Sequence, residues 1–299
     1  MTGQARPFRF SVGMVTAPTD GHEWRRRCRR AEELGYDVIQ LPDHLGMAAP
    51  FPALVAAASV TERARLGTYV LNAGFWNPAL LAREVATVDA LTDGRLELGL
   101  GAGYARAEHE RAGLAFLGPG GRVDRLRRTV EEVLRLLADE GHAPAVTGRP
   151  CPPLLVAGSG DRVLTLAAEC AQSVGFVAGR DTPDGPQLLD AAELEERVEF
   201  FRGAAGDRAD GVELNLVFEV VRITDDALGC AQELRHHTPV LAGRSAEEVL
   251  ALPTVAIGTA REVAEKLRGH RARYGFTYFS VLDPATEPFA GVIAELRGA

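Results

Sequence analysis

Hydrophobic positions along this chain alternate between short continuous runs and stretches where they recur every three or four residues. One such unit is complete between Arg65 and Gly103 (RLGTYVLNAGFWNPALLAREVATVDALTDGRLELGLGAG). Arg65–Leu71 is an apolar, partly β-branched run that reads as a strand, and Leu96–Leu100 reads as a second. Between them Asn77 supplies an N-cap, Pro78 a first helical residue and Asp93-Gly94 a stop. The unit is strand, loop, helix, strand, and it closes on a glycine-rich turn whose free backbone amides permit close approach of a phosphate or a planar ring.

The alternation continues along the chain. Strand-like runs fall at Phe8–Val15, Asp37–Leu41, Leu66–Leu71, Leu96–Leu100, Pro153–Ala157, Val174–Ala178, Val212–Ile223 and Phe276–Leu282. Helical patterns separate most of them: Val123, Leu126, Val130, Val133 and Leu137 share one face, as do Leu194, Val198 and Phe201. Ser245 with Glu248, and Thr259 with Glu262, have capping-box spacing. Eight βα units predict an α/β fold of the (β/α)8 TIM-barrel type, with a doubly wound open sheet as the other architecture. The 299 residues exceed the roughly 250 typical of such a barrel, so residues 1–299 are expected to form one barrel domain with insertion loops. The excess lies at Ala105–Arg122, Ala178–Leu194 and Ala227–Pro253, where active-site lids or interface pieces belong.

Composition narrows the chemistry. A formal charge of -8 without a basic stripe speaks against a nucleic-acid partner, and no apolar run is long enough to span a membrane or to serve as a signal peptide. Lys266 is the only lysine, which leaves no P-loop and no Schiff-base lysine near the barrel mouth; in the helix REVAEKLRGH it is expected on a solvated face. Cys28, Cys151, Cys170 and Cys230 are dispersed and form no zinc pattern, so reduced thiols in a cytoplasmic protein are expected.

In a barrel the reacting groups gather where strands end. Asp43 and His44 follow the second run; this pair suits ring orientation or proton movement, or equally a capped turn. Asn72 after the third run can address a heterocycle edge, beside Phe75 and Trp76, which suit ordinary packing as well. The fourth run ends in Gly99-Leu-Gly101-Ala-Gly103-Tyr104, which is not the GxGxxG dinucleotide fingerprint. The adjacent Glu108, His109 and Glu110 do not all face one ion on a helix or loop, so no metal is expected. After the fifth run, Gly158-Ser159-Gly160-Asp161-Arg162 opens a helical pattern. Ser159 is expected near the N-cap, with glycine amides, a hydroxyl and the Arg162 guanidinium converging on a phosphate, or as a plain capped turn.

Taken in order, LPDH, GTYVLN, NPALLAREVATVDALTDGRLELGLGAGY, GGRVDRLRRTVEEVLRLL, VAGSGDRVLTLAAECA and AIGTAREVAEKLRGHRARYGF make the chain resemble the bacterial luciferase-like barrel oxidoreductases, particularly the deazaflavin (coenzyme F-420)-dependent members found in actinobacteria. The resemblance implies a cofactor ring across the barrel mouth with Asp43 and His44 near its edge or the substrate, Asn72 touching it, and Gly101 and Gly103 beneath it. It implies that Gly158, Ser159 and Gly160 receive the phosphate, with Arg106 or Arg162 to meet an acidic tail, and that a non-prolyl cis peptide falls at Tyr69–Val70. It implies hydride transfer to or from a small organic substrate, with His44 as proton donor and Tyr104 nearby, and a homodimer. Tyr104 and Ala107 stand where the sugar-phosphate dehydrogenase branch carries a glutamate and an asparagine, which argues against sugar-phosphate oxidation. The sixth-strand signature is altered to Gln172-Ser173-Val174-Gly175. FMN is the alternative cofactor, which would make the protein a monooxygenase. A catalytically idle flavin-binding barrel and a nicotinamide enzyme built on Gly99–Gly103 are the readings from other classes.

Overall fold

A computed structural model describes residues 6–144, 146, 150–177, 179–182 and 185–297. Eight parallel strands form its centre: Arg9–Gly13, Val38–Leu41, Arg65–Thr68 resuming at Leu71–Asn72, Leu96–Gly101, Leu154–Ala157, Ser173–Phe176, Glu213–Val217 and Tyr278–Leu282. The first strand pairs with both the second and the eighth, and the third closes on the fourth through Leu66↔Leu96 and Leu71↔Leu100. Every junction in this ring is parallel, which requires a crossover between successive strands and puts helices over the outer face. The sheet is therefore a closed barrel rather than an open one.

Residues alternate between two interiors. Phe10, Val12, Ile39, Leu41, Leu66, Leu98 and Leu100 pack outward under the helices. Inside the barrel, Val38, Leu155, Ala157 and Tyr278 form a smaller apolar group with Tyr69 and Val70. A polar chain completes the inner filling: Gln40 Nε2 donates to Tyr278 Oη (2.8 Å), Ser11 and Ser280 share a hydrogen bond (2.7 Å), and Asn215 Nδ2 donates to Ser280 Oγ (2.8 Å). Burial without water makes such complete pairing obligatory. Arg9 closes the amino-terminal end, paired with Glu97 and Glu213.

The helices follow their caps. Asn77 caps Pro78–Leu91, and both anticipated capping boxes form, at Ser245/Glu248 and Thr259/Glu262. Leu126, Val130, Val133 and Leu137 are buried along Pro119–Ala138. Two expectations change. The Val212–Ile223 run is two strands, because the chain leaves the barrel at Phe218 and Glu219, whose amides bond Ser280 O (2.8 Å) and Thr254 O (2.9 Å); Val220–Ile223 then pairs with Val255–Gly258 outside the ring. The sixth strand runs Ser173–Phe176 rather than Val174–Ala178, and Ala178 lies outside the described residues. Of the insertions, Ala178–Leu194 contains the antiparallel pair Gly179–Thr182 and Gly185–Leu188. Ala227–Pro253 folds as helices Ala227–His237 and Ala246–Ala251 over a second core of Leu188, Val220, Ala231, Leu241, Val249 and Val255.

Lys266 is not a solvated residue. Its ammonium donates to the carbonyls of Leu250 (2.9 Å), Leu252 (2.7 Å) and Val255 (2.7 Å), and burial pushes its pKa down to about 8. The helix Ala260–Tyr274 turns this face to the carboxyl end of Ala246–Ala251, where unpaired carbonyls collect and a cation is favoured. Lys266→Met should therefore lower unfolding free energy by roughly 2–3 kcal/mol in urea titrations, the cost of stripping a cation from buried carbonyls.

His270, on the same helix, lies 2.8 Å from the Pro253 carbonyl and stacks on Phe218; burial pushes its pKa down to about 4. The unfolded chain binds this proton more tightly than the native protein. Its contribution is present above about pH 6.5 and lost as pH falls to about 4, up to about 3 kcal/mol. Urea midpoints measured at pH 7 and pH 4.5 should diverge more for the parent than for His270→Phe.

Candidate active site at the carboxyl end of the barrel

Asp43 and His44 leave the second strand on the open face, but they do different work. Asp43 Oδ2 accepts from the Asn72 backbone N–H (3.2 Å) and from Trp76 Nε1 (2.8 Å), tying the second strand end to the third-strand loop; burial holds its carboxyl above the usual range. Trp76 thus has a polar duty in addition to its edge-on packing with Phe51. His44 Nδ1 lies 2.8 Å from Glu108 Oε1, and its Nε2 lies 3.5 Å from the Tyr104 hydroxyl. Glu108 comes from the short helix Arg106–Arg111, 64 positions further along the chain. An acceptor at Nδ1 holds the proton there and leaves the Nε2 lone pair facing the mouth. The second Glu108 oxygen is buried with no partner.

The neighbouring His109 turns away. It is buried between Phe75 and Phe116, with Nδ1 3.1 Å from Ala105 O, so the acidic and imidazole groups of this run face different ways. Among the described residues, no group of His, Cys, Asp or Glu is arranged to hold a metal.

The Tyr69–Val70 peptide is cis, at the position the family resemblance implied. Tyr69 reaches across the barrel, its hydroxyl donating to Asn215 Oδ1 (2.8 Å). Asn72 is buried, and its Oδ1 accepts from Gly74 N (2.9 Å). The fourth-strand glycines seat these groups. A Cβ on Gly101 would lie 2.6 Å from Val70 Cγ2, and one on Gly103, which has φ +71°, would lie 2.7 Å from Asn72 Nδ2.

At the fifth strand end the N-cap of Asp161–Cys170 is Gly160, not Ser159. Gly160 O accepts from Val163 N (2.9 Å) and Leu164 N (3.0 Å), while the Ser159 hydroxyl donates to Val177 O at the end of the sixth strand. Gly158 packs on Val163, where a Cβ would approach to 2.8 Å. Arg162 is exposed and pairs with Asp124, and it donates to Gly120 O (3.3 Å). Val163 N and Leu164 N are thus engaged within the turn, and Arg162 lies at its exposed rim.

Glu219, which the sequence reading passed over, completes the mouth. It stands just past the seventh strand, close enough to Tyr69 for its charge to add to the upward push of burial on the phenol, and desolvation raises its own carboxyl pKa.

The molecule is a parallel (β/α)8 barrel with Asp43, His44 and the glycine-seated Asn72 loop at the carboxyl ends of its strands. Residues 3–227 match the luciferase-like monooxygenase family, and the chain belongs to it. It is 31% identical over 242 residues to an F420-dependent glucose-6-phosphate dehydrogenase of Beutenbergia cavernae, covering 73% of this chain and 69% of that one. A protein of the same description from Intrasporangium calvum is 34% identical over 171 residues, which span 50% of this chain and about half (51%) of the relative's length. The fold is that of an F420-dependent secondary alcohol dehydrogenase solved in complex with an F420-acetone adduct (TM-score 0.76, 16% identity, 97% and 98% of the two chains covered).

Proposed function

We propose that the protein is a coenzyme F-420-dependent oxidoreductase that moves a hydride to or from a small organic substrate at the barrel mouth, with His44 holding the accompanying proton. The observation that carries this reading is the line Glu108, His44, Tyr104 at the strand ends, in which a carboxylate fixes the imidazole so that Nε2 faces the opening. The described names of the relatives support the cofactor. So does the local chemistry. Val70 and Asn72 are held in place by glycines that tolerate no side chain, as a planar ring's wall requires, and the Gly158–Arg162 turn offers amides and a guanidinium for a phosphate. When bound, a deazaflavin supplies a carbon centre that carries hydride and resists oxygen. His44 takes or returns a proton at Nε2, Glu108 maintains its tautomer, and Asp43 keeps the Asn72 loop against the mouth.

The unpaired Cys28, Cys151, Cys170 and Cys230 support a reducing, cytoplasmic setting, and no described helix is long and apolar enough to cross a membrane. The exposed Leu80 and Leu91 on Pro78–Leu91 support a homodimer, which light scattering would read directly.

The test is anaerobic turnover. Reduced coenzyme F-420 should be reoxidised by the protein with an organic acceptor and without oxygen, whereas turnover requiring reduced FMN and oxygen would replace this reading with a monooxygenase. At the phosphate turn, Arg162→Ala should weaken coenzyme F-420 binding roughly tenfold in fluorescence titrations with the fold unchanged. Ser159→Ala should have a smaller effect, because its hydroxyl proton is committed to Val177. Unchanged affinity in both variants would remove the phosphate assignment.

A further inference from the structure

Charged groups of both signs stand around the mouth. Three carboxylates, Asp43, Glu108 and Glu219, stand at the ends of the second, fourth and seventh strands or just past them. Arginines are bonded on more than one side of it: Arg162 to Asp124 and Arg197 to Asp161 (2.5 Å) beside the phosphate turn, Arg125 to Gly74 O (3.4 Å) beside Asn72, and Arg106 to Glu110 (3.9 Å) on the helix that carries Glu108. Lys266 is committed to three carbonyls of the outer insertion.

The surface that a molecule meets on the way to His44 is apolar. Leu45 (39% exposed) and Met47 (37%) follow His44 directly and bridge one another, with Met47 N bonded to His44 O (3.1 Å). Tyr104, 73% exposed, stands edge-on to the imidazole with ring centroids 5.6 Å apart. Large apolar side chains left open beside a proton-holding group lose water favourably only when an apolar body covers them. A phosphate brought to the same place would meet the Glu108 carboxylate at His44, and the arginines nearby, Arg106 and Arg125, are already bonded to Glu110 and to Gly74 O.

We infer that the substrate is an uncharged, largely apolar molecule, of the class of neutral alcohols and their ketones, and not a sugar phosphate. This rests on the deazaflavin reading above, and it separates the chain from the sugar-phosphate activity that its relatives' names describe.

The test uses the full chain loaded with coenzyme F-420 and reads saturable perturbation of the bound deazaflavin fluorescence, which needs no turnover. Cyclohexanol and 2-octanol should each saturate the signal, and glucose 6-phosphate should leave it flat at tenfold higher concentration. Leu45→Asp should weaken cyclohexanol binding roughly tenfold, with cofactor affinity read in parallel. Glu219→Lys, which reverses one charge at the mouth, should admit the phosphate. Saturation by glucose 6-phosphate in the parent, or a flat response to both alcohols, overturns the inference. Failure of coenzyme F-420 to bind at all is seen earlier, in the cofactor titration, and removes the functional reading itself.

Discussion

His44→Asn is expected to leave coenzyme F-420 affinity within a few-fold of the parent and to slow single-turnover hydride transfer by roughly 10²–10⁴, the range for loss of general acid–base help. The imidazole is held by a carboxylate at Nδ1, while its Nε2 lies 3.5 Å from the hydroxyl of the exposed Tyr104. Asparagine keeps a polar side chain of similar reach but carries no titratable nitrogen. Stopped-flow traces and equilibrium titrations on the same preparation separate the two quantities. A variant that binds and reacts as the parent does would reduce His44 to a turn residue and move the proton to Tyr104 or Glu108.

Gly99→Ala is expected to cost about 3 kcal/mol of stability, the upper range for overpacking a closed interior. A Cβ at this position would run into the Thr68 backbone carbonyl, which cannot swing aside as a side-chain end would, and would press on Val70 Cγ1 at 3.3 Å. Thr68 is fixed there by its own hydroxyl, which bonds both Gly99 N (2.8 Å) and Gly99 O (2.9 Å). Relief must come from separating the third and fourth strands, where the barrel closes and where Val70 and Asn72 are held. Cofactor affinity should therefore fall together with the urea midpoint. Gly203→Ala, in the helix Ala191–Ala205 with nothing within 4 Å of the added methyl, is the control and should lower neither.

The barrel was legible because its signals are local. Apolar runs, the Asn77-Pro78 start, the Asp93-Gly94 stop and two capping boxes each concern residues within a few positions of one another, and each appears where expected. What failed depended on distance or on a missing breaker. No Gly or Pro interrupts Val212–Ile223, so the exit from the barrel at Glu219 was hidden inside one strand-like run, and a mouth carboxylate with it. The helical period around Lys266 says which face it shares with its neighbours, but not that carbonyls of a different helix end beneath that face. Asp43 and His44 were visible at their strand end. The partner that fixes the imidazole was not, since Glu108 read as one member of an acidic cluster with His109 and Glu110, and only the fold turns it towards His44 and its neighbour into the core. Ser159 misled for a simpler reason: two glycines flank it, either of which can end the turn, and the hydroxyl found a carbonyl at the sixth strand end instead of the helix amides.

The central claim is that this mouth is built for a deazaflavin, and the most direct measurement is a pair of equilibrium titrations of the purified protein with coenzyme F-420 and with FMN, followed by cofactor fluorescence under identical conditions. The account predicts saturable, stoichiometric binding of coenzyme F-420 at least tenfold tighter than FMN, with Gly103→Val, which drives a side chain into Asn72, abolishing it. Tighter binding of FMN, or a Gly103→Val variant that binds coenzyme F-420 as the parent does, would contradict it.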